Sequence, residues 1–262
     1  DDRGRYCAGP VGLVQTRLSI IGLDSGHQPL LSADGQLALV ANGEVYNYIE
    51  LNAESRALGR PPRTGSDSET ILNAYAAHGI DALERLRGMF AFALHDVRAG
   101  RLILGRDRLG IKPLFYVRLP DRIAFASEIK ALLAILPESP RISPSALRQF
   151  LQNQFAGGEE TLIEGIRRVP PGMALLIDTD LNIRPHRYWS ALDMKPRRIG
   201  FDEARAELDA LMDEAMREHQ RSDVPFGLFL SGGLDSAVLA AKLAEQGAGR
   251  IKSYSVGYRG TA

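Results

Sequence analysis

The chain holds one cysteine and one tryptophan in 262 residues, no excess of charge of either sign, and no long apolar run. A single thiol, Cys7, rules out an internal disulfide and fits a reducing compartment, so a cytoplasmic location is expected. Lys and Arg number 32 and Asp and Glu 32, a formal net charge of zero. No broad basic surface follows from that balance, and nucleic acid is not an expected partner. No stretch is long enough to span a bilayer and no signal peptide is visible, so no membrane partner is expected either. The five histidines are dispersed, without H-E-x-x-H or cysteine pairing, which argues against a zinc site. The rest of the composition, 45% hydrophobic and 24% charged, is that of an ordinary globular protein with length for one large domain or two modest ones.

The stretch with most chemistry lies near the end of the chain, at Gly227-Leu228-Phe229-Leu230-Ser231-Gly232-Gly233-Leu234-Asp235-Ser236. An apolar run after Pro225 reads as a buried strand, two glycines as a turn, and Ala237 to Leu243 as a helix. A strand, a glycine turn and a helix N-terminus make an anion site: free N–H groups point outward, and Ser231 and Ser236 add hydroxyls. Neither the Walker loop nor G-x-G-x-x-G is present. The order resembles the pyrophosphate loop of ATP pyrophosphatases. That likeness implies ATP and Mg2+ as cofactors, Ser231 to Ser236 holding pyrophosphate, and Asp235 as a magnesium ligand.

Upstream, Val11 to Ile21 and Leu37 to Ala41 read as strands, the second running into Asn42-Gly43-Glu44. Ser66-Asp67-Ser68-Glu69 reads as a capping box for a helix from Thr70 to His78. Met89–His95, Arg101–Gly105, Leu114–Val117 and Ile123–Ala126 read as antiparallel strands. Pro144 to Asn153 reads as a helix, and a hairpin covers Ala174–Ile177 and Ile183–Tyr188. Strands and helices in runs indicate an α+β layered domain over residues 1–189. Residues 190–200 read as a linker, and 201–262 as the start of an α/β domain opening on the amphipathic helix Phe201 to His219. Two strands and one helix cannot close a doubly wound sheet, so the chain reads as an internal piece of a longer protein.

Several motifs occur in order: Arg17-Leu18-Ser19-Ile20, His27-Gln28-Pro29, Asn42-Gly43-Glu44-Val45-Tyr46-Asn47, Gly88-Met89-Phe90-Ala91-Phe92-Ala93 and Gly105-Arg106-Asp107-Arg108-Leu109-Gly110-Ile111-Lys112-Pro113-Leu114. With Phe125-Ala126-Ser127-Glu128, Pro171-Gly172, Tyr188-Trp189 and the pyrophosphate loop, they resemble the glutamine-hydrolysing asparagine synthetase family. The likeness implies an N-terminal-nucleophile-type four-layer αββα sandwich, followed by the start of a Rossmann-like ATP-pyrophosphatase domain. It implies a ligase in which glutamine hydrolysis supplies ammonia to an adenylated carboxylate, with aspartate the expected acceptor. Arg17 to Ile21 (Arg17, Leu18, Ser19, Ile20, Ile21), Asn42, Gly43, Glu44 and Asp67 would line the glutamine pocket. Leu230 and Val256 would meet the adenosine half of ATP.

The residue types suit these roles. The Asn42 amide and the Gly43 N–H are two donors for an oxyanion, the glycine permitting close approach at a turn. Arg17 suits an α-carboxylate, and Glu44 and Asp67 an α-ammonium. Each has a plainer alternative: Asn42-Gly43 as a hairpin turn, Asp67 as a helix cap, Arg17 paired with a surface carboxylate. Arg106-Asp107-Arg108 reads as a structural ion-pair network. The family's nucleophile is an N-terminal cysteine, expected here before Asp1. Cys7, without an activating base, reads as a semi-buried filler. Rival readings are amidation of another carboxylate, a β-lactam-synthetase-like relative, and a non-catalytic ligand-binding module. A second copy of the chain is carried as a candidate partner.

Overall fold

The computed structural model describes residues 2–18, 20–247, 249 and 251–257. The chain divides into two units, Asp1–Met194 and Lys195–Ala262. The first unit contains β1 (Asp2–Ala8), β2 (Val11–Arg17), β3 (Leu30–Leu31), β4 (Leu37–Val45), α1 (Tyr48–Ala57), α2 (Glu69–His78), β5 (Gly88–Asp96) and β6 (Arg101–Arg106). It continues through β7 (Phe115–Arg118), β8 (Ile123–Ala126), α3 (Ile129–Leu133), α4 (Pro144–Asn153), β9 (Ile166–Arg168), β10 (Met173–Asp178) and β11 (Ile183–Arg187).

Its centre is a six-stranded antiparallel sheet in the order β11-β10-β6-β5-β4-β3. The two-residue period of a strand sends neighbouring side chains to opposite faces, and here both faces are buried. Leu39, Ala41 and Val45 of β4, with Phe90, Phe92 and Leu94 of β5, pack under α1 and α2 with Leu51, Ile71, Leu72 and Tyr75. Ala38, Val40, Ala91, Ala93, Leu102 and Leu104 face the other way, against Leu13 of β2 and Leu114 and Tyr116 at β7. Double-sided burial is why Phe90 to Leu94 is apolar throughout rather than alternating. The second β layer holds the β1–β2 hairpin and the sheet β8-β7-β9. Beyond it, Val117 and Ile166 are covered by Leu132 of α3. Helix layer, sheet, sheets, helix: this is the four-layer αββα arrangement expected.

Some local expectations fail. β1 adds a strand ahead of those the sequence indicates, with Arg3, Arg5 and Cys7 at its outward positions. Cys7 is therefore exposed rather than semi-buried: it pairs with Gly12 on the outer face of the hairpin while Tyr6 turns inward. β2 stops at Arg17, short of Ile21. The capping box does not form. The Glu69 carboxylate accepts from the N–H groups of Arg63 (2.8 Å) and Thr64 (2.6 Å) instead of reaching back to Ser66. α4 does begin as its sequence dictates, with Pro144 in the first turn and the Ser143 hydroxyl accepting from Ala146 N–H.

The second unit holds α5 (Phe201–His219), β12 (Gly227–Phe229), α6 (Leu234–Glu245) and β13 (Lys252–Tyr254). β12 and β13 pair in parallel, with α6 as the crossover between them. The β12 strand is not buried as expected, and Phe229 is largely exposed. A strand pair and one crossing helix leave a sheet face without cover among the described residues of this unit. Lys242 of α6 ties the helices together, its Nζ meeting Asp209 and Asp213 of α5, the latter at 3.1 Å. Among the described residues no helix is long and apolar enough to cross a membrane.

Candidate active site and phosphate loop

The site grows from an open strand edge. β3 pairs only with Ala38 and Leu39, so β4 has a free flank from Val40 onward. In an antiparallel strand alternate residues direct their N–H groups to the same side. On that flank the Ala41 N–H donates to Gln28 Oε1 at 2.7 Å, and the Val45 N–H to Asp67 Oδ2 at 2.7 Å. Gly43 lies between them and faces the same way. β5 does not use its N–H, because both backbone groups of the opposite residue, Phe90, are held by Asp107: Phe90 N–H donates to Oδ2 (3.2 Å), and Phe90 C=O accepts from Asp107 N–H (2.8 Å). The Gly43 N–H is left as a donor with no acceptor among the described residues.

Only glycine fits there. Its φ is +134°, and a Cβ would fall 1.9 Å from the Met89 carbonyl oxygen. Asn42-Gly43 is thus neither a hairpin turn nor a turn of any kind. It is strand interior paired with Ala91 and Phe90, and the nine-residue ladder between β4 and β5 overrides the local turn preference.

Around this edge opens a cavity of about 660 Å³. Arg17, Leu18, Ile20, Ile21, Asn42, Gly43, Glu44 and Asp67 all line it; Ser19 lies outside the described residues. Lys112, Ser127 and Glu128 line it too, and sequence reasoning did not single them out although each falls in a quoted motif. Gln15 was also missed: its Nε2 donates to the Ala41 carbonyl at 3.0 Å and moors β2 to β4.

Among the described residues Arg17 forms no ion pair with a surface carboxylate. Its guanidinium donates to the Ile21 carbonyl (2.5 Å) and the Gly22 carbonyl (3.3 Å). Five N–H donors in a planar fork leave capacity for an anion as well. Asp67 is not a helix cap. It is 4% exposed and grips the end of β4 through Val45. Burial pushes its carboxyl up to about 6, opposed by the Val45 and Ser68 N–H groups, with nearby Glu44 adding to the rise. A cation entering here would reverse that shift.

Arg106-Asp107-Arg108 is a scaffold, but not through ion pairs. Asp107 accepts from the N–H groups of Phe90, Leu109, Ile111 and Lys112. Arg106 donates to the carbonyls of Lys112 (2.8 Å), Val169 (2.7 Å) and Gly110 (2.7 Å), and Arg108 to that of Glu84. The turn they shape delivers Lys112 and Leu114 to the cavity wall.

In the second unit the loop leaves β12 at Leu230, whose N–H donates to the Tyr254 carbonyl at 2.8 Å. Ser255 Oγ donates to the Leu230 carbonyl at 2.6 Å, so Leu230 and Val256 leave the two parallel strands side by side. Gly232 takes φ +81° and Gly233 caps α6 with extended backbone. Ser236 Oγ donates to the Gly233 carbonyl (3.0 Å) and lies 3.2 Å from Ser231 Oγ, bringing both hydroxyls to the start of the helix. Ser231 through Asp235 are exposed, so no side chain among the described residues closes the loop. This donor set suits phosphate oxygens. For a magnesium ion the loop offers one carboxylate, Asp235, and no cluster of His, Cys, Asp or Glu among the described residues could hold a metal unaided.

The model of the glutamine amidotransferase domain matches residues 1–189, well over half the chain. The chain belongs to the glutamine amidotransferase domain family. The asparagine synthase model matches residues 207–262. Over 258 residues the chain is 37% identical to a protein named asparagine synthetase [glutamine-hydrolyzing] 1 of Bacillus subtilis, covering 98% of this chain and 40% of that one. It is 39% identical over 254 residues to a putative asparagine synthetase [glutamine-hydrolyzing] of Mycobacterium tuberculosis, covering 92% and 39%. The chain thus spans about 40% of the length of the curated relatives it matches. A glutamine phosphoribosylpyrophosphate amidotransferase structure from Bacillus subtilis aligns over 89% of this chain and 50% of its own, at 18% identity and a TM-score of 0.45.

Proposed function

We propose that this chain is the glutaminase half, and the first part of the synthetase half, of an ATP-dependent ligase that moves the amide nitrogen of glutamine onto a carboxylate, with aspartate as acceptor. The observation that carries the reading is the unpartnered Gly43 N–H on the open edge of β4, in one cavity with Asn42, Arg17, Glu44 and Asp67.

A glutaminase must hold a zwitterion and stabilise an oxyanion on its side-chain amide. Arg17 takes the α-carboxylate, and Glu44 with Asp67 the α-ammonium. The Asn42 amide and the Gly43 N–H receive the negative charge that builds on the amide oxygen when a cysteine thiolate attacks. The C–N bond then breaks, ammonia leaves with a proton, and water releases glutamate from the thioester. No cysteine of this chain suits the attack, since Cys7 is exposed on the outer face of the β1–β2 hairpin; the resemblance assigns it to a cysteine preceding Asp1.

A carboxylate resists attack by ammonia at neutral pH, and transfer of AMP to it supplies a leaving group. The loop Ser231–Ser236 suits the departing pyrophosphate, with Leu230 and Val256 beside the adenosine. Mg2+ would screen the phosphate charge, with Asp235 contributing one oxygen. The test is incubation of the protein that carries this chain with amide-15N glutamine, aspartate and Mg-ATP. Labelled asparagine with matching AMP and pyrophosphate is expected. Glutamate and ammonia without asparagine would reject aspartate as acceptor, and the absence of glutamate would reject the reading altogether.

A further inference from the structure

A second cavity, of about 680 Å³, lies in the helix–sheet layer at the opposite end of β4 from Gly43. We propose that it is a binding site for a small molecule bearing a phosphate or carboxylate on an apolar, planar body. It shares no lining residue with the cavity around Gly43, so this inference stands apart from the glutamine reading. Its size falls in the ordinary range for small-ligand sites.

The charges decide the ligand class. Four arginines line the cavity (Arg60, Arg63, Arg98 and Arg101) against three carboxylates, Asp34, Glu69 and Asp96. Each carboxylate is already satisfied by neutral donors. Glu69 accepts from the Arg63 and Thr64 N–H groups, Asp34 from Ser32 Oγ (2.6 Å) and Gln36 N–H (3.1 Å), and Asp96 from Tyr75 Oη (2.8 Å) and Ala99 N–H (2.9 Å). Two of the four arginines are matched in return and two are not. The guanidinium groups of Arg60 and Arg63 meet no acceptor among the described residues. Arg98 has only Asp34, at 3.5 Å. Arg101 donates from Nη2 to Tyr75 Oη at 2.7 Å, lies over the Tyr75 ring and sits 3.7 Å from Asp96 Oδ2, yet its Nε is buried with no partner among the described residues. Buried donors are normally satisfied, which leaves the Arg101 Nε to be answered, and the exposed guanidinium groups of Arg60 and Arg63 lining the same hollow match an anion rather than a cation.

The body of the ligand follows from the floor. Leu72, Tyr75 and Ala76 of α2 line the cavity, the first two as buried side chains, and an apolar wall suits a flat ring more than a bare inorganic ion.

The test uses the protein that carries this chain, with phenyl phosphate and benzoate as probes and hydrogen exchange as the readout. Slower exchange in peptides spanning residues 59–79 is expected with one or both probes, and the tighter of the two names the anion. Arg60 and Arg63 are exposed and unpaired, so the double variant R60A/R63A keeps the fold and should weaken that protection by at least about tenfold. D235A, in the other unit, should leave it unchanged. No protection by either probe at millimolar concentration, or protection equal in R60A/R63A and wild type, overturns the proposal.

Discussion

Asp67→Asn should make the protein more stable above pH 6 while impairing its hold on glutamine. The Asp67 carboxyl is raised from an ordinary 3.8 to about 6, first by burial and then by Glu44. A raised acid binds its proton more tightly in the folded state. Its contribution to stability is therefore full below pH 3.8 and is lost as pH climbs through 6. Two units at about 1.4 kcal/mol each put the cost of ionised Asp67 near ~3 kcal/mol at neutral pH. Asparagine carries no charge and keeps an oxygen for the Val45 N–H, but its amide nitrogen then meets the Ser68 N–H, which costs about 1 kcal/mol. A net gain of about 2 kcal/mol follows, worth roughly 4–8 °C in melting temperature for a unit of this size. Urea unfolding of both proteins at several pH values measures it. The difference should be small near pH 4, grow to pH 6, and stay flat beyond. An α-ammonium beside Asp67 favours the ionised form, so glutamine should bind wild type more tightly as pH rises through 6, a dependence absent in D67N. A stability difference that ignores pH, or a variant less stable than wild type at pH 8, would refute the reasoning.

Gly43→Ala should destabilise the first unit by at least about 2 kcal/mol, from strained backbone and the clash with the Met89 carbonyl, as read by denaturant unfolding; an unchanged midpoint contradicts the strand geometry. His95 is buried with its Nδ1 3.2 Å from Tyr6 Oη, and burial holds its pKa below 6.5 despite nearby Asp96. Stability linked to it is present above pH 6.5 and is lost as pH falls below, so mild acid should speed hydrogen exchange across β1 and β2, and H95Q should blunt that response. Ser236→Ala removes the hydroxyl that donates to the Gly233 carbonyl, and ATP–pyrophosphate exchange should drop by at least about tenfold. Glutamine hydrolysis in the same sample reports whether the first unit is intact, and exchange at the wild-type rate would remove Ser236 from the site.

What the sequence determined on its own is what short-range chemistry can encode. α4 and α5 carry the bounds expected from the sequence, Pro144–Asn153 and Phe201–His219, the second from its apolar period. The strand–turn–helix order around Gly232 and Gly233 needs only glycine's left-handed freedom and a helix start. The residues that gather in the first cavity were legible through a family pattern, since no local rule links Arg17 to Asp67. Tertiary structure decided the rest. Asn-Gly prefers a turn by itself, and becomes strand interior because β5 pairs with all of β4 and admits no Cβ at residue 43. Asp67 looks like a cap beside Glu69, and instead serves Val45, a residue 22 positions away. The Gly43 N–H has no partner among the described residues because β3 is two residues long and Asp107 occupies both backbone groups of Phe90. Which donor stays unpaired depends on strand register and on partners far along the chain, and neither is written in the few residues on either side of it.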